Sequence, residues 1–450
     1  MSDKIQAALA DAGDTRRVVL GSGAIREIPG VFADLYPGRS AIVVADDRTM
    51  VVAGQGVQRA LTASGVACHE PYVFPGDPEL YARYENIVEL RDHLAFIDAV
   101  PVAVGAGTLN DIVKRASGEL ERGYIIVGTA ASMDGYTAFG ASIAVDGFKQ
   151  TLACPAPRAC VADLDIMAAA PSVMTASGYG DLLGKVTSGA DWILADVLGV
   201  EPIDQAVWDK VQGTLGAAVA RPEALAAGDV DAVGALAEGL IMSGLAMQAH
   251  QSSRPASGAE HQFSHLWEME GHGVEQKPRL SHGFKVGLGT VAIAALYEDL
   301  LGTDVAHLDV GAAVAAWRSR EELERHVRSL NPNPQLVEET VQQTLAKWVT
   351  PAELEARLTR LTREWHRIAP RLRDQLLPAA EVQRRLRAAG APAHPDDIDL
   401  DWDRFRQTYL RAQTIRKRYT VLDVVFEAGL LEGMVERLFA EDGFWGAQRS

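Results

Sequence analysis

The stretch 100–111, VPVAVGAGTLND, sets the class of the fold. Val100 to Val104 is a short apolar run of the kind that forms a strand buried on both faces. It passes directly into Gly105-Ala106-Gly107-Thr108-Leu109-Asn110-Asp111, and Ile112 to Ala116 opens a helix. Glycines in such a turn let backbone N–H groups come close to an anion, and the following helix N-terminus favours negative charge. The turn is not a full GxGxxG, and a GxG is also found in ordinary tight turns. Its position after a buried strand is what favours a phosphate loop.

The same rhythm extends to both sides. Ala41 to Ala45, AIVVA, reads as a buried strand that ends at Asp46-Asp47-Arg48-Thr49, and Val51 to Ala63 has helical spacing. Asp46 suits either of two jobs there, capping a helix or accepting hydrogen bonds from an adenosine ribose. Tyr72 to Phe74 reads as a strand, Pro75 to Pro78 as a turn and Tyr81 to His93 as a helix. Tyr124 to Gly128 is a further strand, ending at Thr129-Ala130-Ala131-Ser132. Strands alternating with helices predict a parallel sheet with helices on both faces and ligands at the carboxyl ends of its strands. Near Pro171 the character changes. Ser177 to Leu198 carries a continuous apolar stripe, and almost everything after Asp204 reads as helix. The expected architecture is an α/β dinucleotide-binding domain over residues 1–170, followed by an all-α domain over residues 171–450.

Composition narrows the function. The chain has 450 residues, 48% apolar and 23% charged, which is an ordered globular composition with room for more than one core. Sixty acidic against 43 basic side chains give a net charge of −17, which argues against general nucleic-acid binding. Three cysteines, Cys68, Cys154 and Cys160, suit a reduced, cytoplasmic protein better than a disulfide scaffold. The N-terminal stretch MSDKIQAALADAGDTRRVV lacks an apolar signal core, and no uncharged apolar run approaches a membrane span.

The chemistry concentrates at 254–269, RPASGAEHQFSHLWEM. His261 and His265 are four residues apart, so a helix puts both imidazoles on one face. SHGFKVG at 281–287 adds His282, and GYGDLLGK at 178–185 adds Asp181. One carboxylate with two or three imidazoles is enough for an open catalytic metal site. Histidines that merely satisfy core hydrogen bonds would produce the same spacing.

VGAGTLNDIVK (104–114), TAASMDGYTAFGASI (129–143), SGYGDLLGKVTSGADW (177–192), RPASGAEHQFSHLWEM and SHGFKVGLGT (281–290) together resemble the glycerol-1-phosphate dehydrogenase family. The similarity is greater to its bacterial, AraM-type members. That family belongs to the iron-containing alcohol dehydrogenase and dehydroquinate synthase-like superfamily. The likeness runs from about Val43 to Thr290 and resumes in RKRYTVLDVVFEAGLL at 416–431. It implies a divalent metal (zinc, nickel or iron) held by Asp181, His261 and His282. It implies substrate contacts from Asp134 and His265, with Asp181 also at the substrate. It implies a dinucleotide held by Gly105, Ala106, Gly107, Thr108, Leu109, Thr129, Ala130, Ala131 and Ser132, with Asp46 at the ribose. Asp46 would repel a 2′-phosphate and leans to NAD, while Arg48 could accommodate one and leans to NADP. Two positions depart from the pattern. Ala138 stands where a serine is common, leaving Thr137 or Ser142 to supply a hydroxyl, and Phe284 stands where an acidic residue is common. The charged segment from about 320 to 400 is longer than the family pattern suggests.

The implied activity is reversible NAD(P)H-linked reduction of dihydroxyacetone phosphate to sn-glycerol 1-phosphate. The partner is then a small phosphorylated three-carbon ketone or alcohol, with Lys185, Arg254 and Lys285 as candidates for its phosphate. Competing readings are a dehydrogenase of another polyol or sugar phosphate, a dehydroquinate synthase-like cyclase, and a helical interaction protein with a vestigial site. Amphipathic helices offer a face on which a homodimer could form.

Overall fold

The computed structural model describes residues 3–145, 148–331 and 333–449, so Met1 and Ser2 of the N-terminal stretch lie outside it. Its strands are β1 (Arg17–Gly21), β2 (Ser40–Asp46), β3 (Tyr72–Phe74), β4 (Ala99–Gly105), β5 (Ile125–Gly128), β6 (Ala141–Val145), β7 (Phe148–Leu152) and β8 (Ala159–Asp163). Six of them pair in parallel in the order β1-β8-β5-β4-β2-β3, and β6 with β7 forms a separate antiparallel pair. The chain divides into two compact units. The first comprises Met1–Leu182, Ala206–Ser253 and Ala388–Gly390, and the second comprises Leu183–Gln205, Arg254–Arg387 and Ala391–Ser450.

In the first unit the sheet is covered on both faces, so β4, β5 and β8 are buried at every position. Val43, Val102, Val104, Val127 and Val161 meet the helical residues Ile28, Phe32, Val57 and Leu61 in one core. β1 and β8 join the four strands legible in the sequence. β1 is harder to read because it starts on the exposed Arg17 and only two of its residues are fully buried. The chain passes from β2 outward to β3 and then back to β4 on the other side of β2, which opens a crevice at the carboxyl ends of β2 and β4. Register sets the ends of these strands level. Val44 pairs with Ala103, two residues short of Asp46 and Gly105, and Gly105 pairs with Gly128.

Helix α1 (Gly107–Glu119) follows β4, and α2 (Ser172–Leu183) is followed by α3 (Lys185–Val197). The single helix predicted over 177–198 is therefore interrupted at Gly184. Helix α4 (Val230–His250) is the one helix among the described residues long and apolar enough to cross a membrane, and 72% of its apolar window is buried. Its apolar length is a core property. It buries Leu236, Leu240, Ile241 and Leu245 in the first unit, together with the polar Ser243 and Gln248.

The second unit is helical. Helix α5 (Ala259–Met269) packs along α6 (His282–Gly302), and a Cβ at Gly289 would come within 2.5 Å of the Glu260 carbonyl oxygen. That close approach is available only to glycine. The charged segment is a set of amphipathic helices. In α7 (Pro351–Gln375), Leu354, Leu358, Leu361, Trp365, Ile368 and Leu372 form the buried stripe. Thr350 caps it in a reciprocal capping box with Glu353, and Pro351 occupies its first turn. The Arg and Glu residues of this segment are largely its solvent face, as in the Arg384–Glu381 pair.

Candidate functional site

At the carboxyl edge of the sheet, α1 begins at Gly107, five residues earlier than the apolar periodicity indicates. Ala106 is its N-cap, extended and with no side chain to offer, so the first-turn N–H groups are not capped by a side chain. This is the arrangement that receives a phosphate. The Gly105 carbonyl accepts a hydrogen bond from the Thr129 N–H at 3.1 Å, joining the two predicted nucleotide segments. Beyond it, the Tyr136 hydroxyl donates to the Ala130 carbonyl at 2.6 Å and the Ser177 hydroxyl to the Ser132 carbonyl at 3.3 Å. A Cβ at Gly178 would collide with the Ala131 carbonyl oxygen, so α2 lies against this loop as closely as a backbone can. Asp46 accepts the Thr49 N–H at 2.7 Å and caps the turn after β2.

Asp134 lies on the same loop a few residues on. Its backbone N–H donates to Asp181 Oδ2 at 3.1 Å, and its carboxylate accepts the Ser243 hydroxyl at 2.8 Å. α4 comes near enough because Gly244 lies under the loop, where a Cβ would stand 2.8 Å from the Asp134 carbonyl oxygen. Thr137 does not replace the missing serine, because its fully buried hydroxyl donates to the Ile241 carbonyl at 2.8 Å. Ser243 supplies the hydroxyl beside Asp134 from a distant helix, with no signal in the local sequence. Asp181 itself is fully buried near the end of α2.

In the second unit α5 and α6 assemble three imidazoles. The ring centroids of His261, His265 and His282 are 6.0, 5.4 and 5.8 Å apart, pair by pair. Two buried glutamates orient them. His261 Nδ1 is 2.7 Å from Glu260 Oε1, and His282 Nδ1 is 2.9 Å from Glu268 Oε1. Donation of Nδ1–H to a carboxylate is the outer arrangement that metal-binding histidines use when Nε2 is the ligand atom. Glu268 also reaches His265 Nδ1 through Oε2 at 3.4 Å. Burial pushes the Glu260 carboxyl up, but His261, the Gly258 N–H and the Thr187 hydroxyl outweigh it and hold it below the ordinary value. His265 is driven the other way. Burial, then the positive charge of Arg416, hold its pKa well below 6.5, so it is neutral near pH 7.

Glu260 and Glu268 were not singled out by sequence reasoning, although one adjoins His261 and the other lies one turn beyond His265. Among the proposed phosphate cations, Arg254 is buried inside the second unit. Its guanidinium donates to the Tyr419 and Asp191 carbonyls at 2.9 and 3.0 Å and pairs with Glu201 at 3.3 Å. Arg416, from the last matching motif, is a cation near His265 that the sequence did not bring forward.

Residues 19–171 match a family model described as iron-containing alcohol dehydrogenase. A glycerol-1-phosphate dehydrogenase [NAD(P)+] of Bacillus subtilis (strain 168) is 30% identical over 431 residues, covering 94% of this chain and 95% of its own length. The Pyrococcus horikoshii protein of the same name is 31% identical over 283 residues, covering 63% of this chain and 78% of its own. Among solved structures, glycerol dehydrogenase from Schizosaccharomyces pombe superposes with a TM-score of 0.58 at 15% identity, covering 95% and 91% of the two chains. Sulfoacetaldehyde reductase from Bifidobacterium kashiwanohense, solved in complex with NAD+, gives 0.56 at 14% identity, covering 96% and 98%.

Proposed function

We propose, from the premise that this chain belongs to the glycerol-1-phosphate dehydrogenase family, that it catalyses metal-dependent, NAD(P)H-linked reduction of dihydroxyacetone phosphate to sn-glycerol 1-phosphate. Asp181, His261 and His282 are the proposed ligands of one divalent cation. The observation that carries this reading is the cluster of His261, His265 and His282 in the second unit, with His261 and His282 each backed at Nδ1 by a buried glutamate. The donor set fits zinc, nickel or iron, because both imidazoles have Nδ1 turned to a carboxylate and the third donor is an oxygen.

When bound, the cation supplies Lewis-acid polarisation of the substrate ketone, and the dinucleotide supplies the hydride. The chain's own residues do the rest. The N–H groups that open α1 receive the pyrophosphate, with Gly105 to Leu109 and Thr129 to Ser132 lining it. Asp46 meets the ribose with whatever acceptor capacity its capping role leaves. Glu260 and Glu268 hold the protons of His261 and His282 at Nδ1. Asp134, steadied by Ser243, orients the substrate hydroxyl. The proton comes from a bound water or through His265, which is neutral at rest, shares Glu268 with His282 and would relay a proton taken up from solvent.

The test is a substrate panel run on protein stripped of metal and reloaded. Dihydroxyacetone phosphate should consume NADH stoichiometrically, and unphosphorylated ketones should do so far more slowly. A cyclase would turn over without net change in NADH, and preference for another phosphorylated polyol would move the substrate within the superfamily. Replacing His261 with alanine should remove activity and bound metal together. Normal turnover in that variant would end the assignment.

A further inference from the structure

Lys114 lies on α1, about two turns beyond its first residue, and is almost completely buried. A lysine ammonium in the interior costs several kcal/mol unless its donors are all satisfied. Here they are. Nζ donates to the carbonyl oxygens of Gly135, Ala138 and Gly140 at 2.8, 2.8 and 3.1 Å. An ammonium has three N–H donors and a neutral amine only two, so the cage matches the charged form. Asp111 lies 4.0 Å away on the preceding turn and supports that charge. Asn110 adds a second tie to the same loop. Its amide donates to the Gly135 carbonyl at 3.3 Å while its own oxygen accepts the Tyr124 hydroxyl at 2.9 Å.

All three carbonyls follow Asp134 within six residues, and it is the Asp134 N–H that holds Asp181 Oδ2. A carboxylate with one oxygen tied to a peptide N–H takes part of its orientation from that peptide. We infer that Lys114 is a positioning residue for the metal centre: by gripping the loop 135–140 it fixes the Asp134 peptide and so aims the Asp181 carboxylate. The inference rests on the proposed reading of Asp181 as a metal ligand. A purely structural Lys114 would affect melting temperature and leave the affinity of the folded protein for metal unchanged.

The experiment measures Zn²⁺ affinity of the full chain by chelator competition, beside its thermal melt, for the parent, Lys114→Met and Lys114→Gln. The methionine variant should bind Zn²⁺ about tenfold more weakly, at the low end for residues outside the ligand set. The glutamine variant, which keeps two of three donors, should fall between it and the parent. A parent that binds Zn²⁺ with Lys114→Met within twofold of it overturns this inference alone. A parent that binds no Zn²⁺ removes the metal reading and this inference with it. If Lys114→Met does not fold, Lys114→Gln carries the comparison on the same twofold limit. If neither folds, Lys114 belongs to folding and the inference fails.

Discussion

Replacing Glu260 with glutamine takes one negative charge from behind His261 at almost no change in volume. Three donors meet the fully buried carboxylate. The Gly258 N–H reaches Oε1 at 2.6 Å, His261 Nδ1 reaches the same oxygen at 2.7 Å, and the Thr187 hydroxyl reaches Oε2 at 2.8 Å. A glutamine amide cannot face the first two with its NH₂ group, because donors would oppose donors. It can face Thr187, whose hydroxyl is able to turn and accept. The amide therefore settles with its oxygen toward His261, the Nδ1–H bond survives, and only its charge assistance is lost. Charge-assisted bonds are about twice as strong as neutral ones. Loss of an outer partner of a metal-bound histidine costs about 10- to 100-fold in metal affinity. Glutamine should fall near the tenfold end, about 1.4 kcal/mol. Alanine removes the acceptor, leaves the His261 tautomer unfixed and should fall near the hundredfold end, about 2.7 kcal/mol. Chelator competition on folded protein, checked by circular dichroism, reads both. The order parent, glutamine, alanine is the expected result. A glutamine variant equal to the parent, or weaker than the alanine variant, would refute the tautomer argument.

Further consequences can be checked independently. Gly178→Val drives a Cβ into the Ala131 carbonyl oxygen and should lower stability by about 1–3 kcal/mol, read as a lower melting temperature. An unchanged melt would mean that α2 can back away from the loop. Chelation should lower the melting temperature, and metal at about 100 times its dissociation constant should restore about 2.7 kcal/mol. A melt indifferent to chelator and metal alike would count against a bound ion. In the metal-free chain the folded pKa of His265 lies below its ordinary 6.5, so the unfolded state binds the extra proton. Its contribution is intact above pH 6.5 and is lost as pH falls below that value. Arg416→Gln removes part of the push, and NMR titration should then find the His265 pKa raised; a lowered value would contradict the electrostatics.

Much of the fold was legible because its signals are local. A buried parallel strand needs an unbroken apolar run, and Ala41–Ala45, Val100–Val104 and Tyr124–Gly128 show one. A helix start favours a hydroxyl cap followed by proline, and Thr350-Pro351 shows the start of α7. β1 was not legible, since its exposed start breaks the run. The start of α1 was placed late because Gly107 and Thr108 carry no apolar periodicity, although they are helical.

The imidazole cluster divides in the same way. Spacing along one helix puts His261 and His265 on a shared face whatever the chain does elsewhere, because 3.6 residues make a turn. SHGFKVG and GYGDLLGK offered His282 and Asp181 as further donors, and the family resemblance implied that they are ligands with His261. Nothing in the linear order, however, pairs Glu268 with two imidazoles, brings Ser243 to Asp134 across 109 positions, or buries Lys114 beneath three carbonyls. Those contacts depend on which helix faces approach, and on glycines such as Gly244 and Gly178 that let backbones touch. Residue type along the chain names the groups able to bind or donate. Long-range packing selects which of them meet, because hydrogen bonds form only at contact distance.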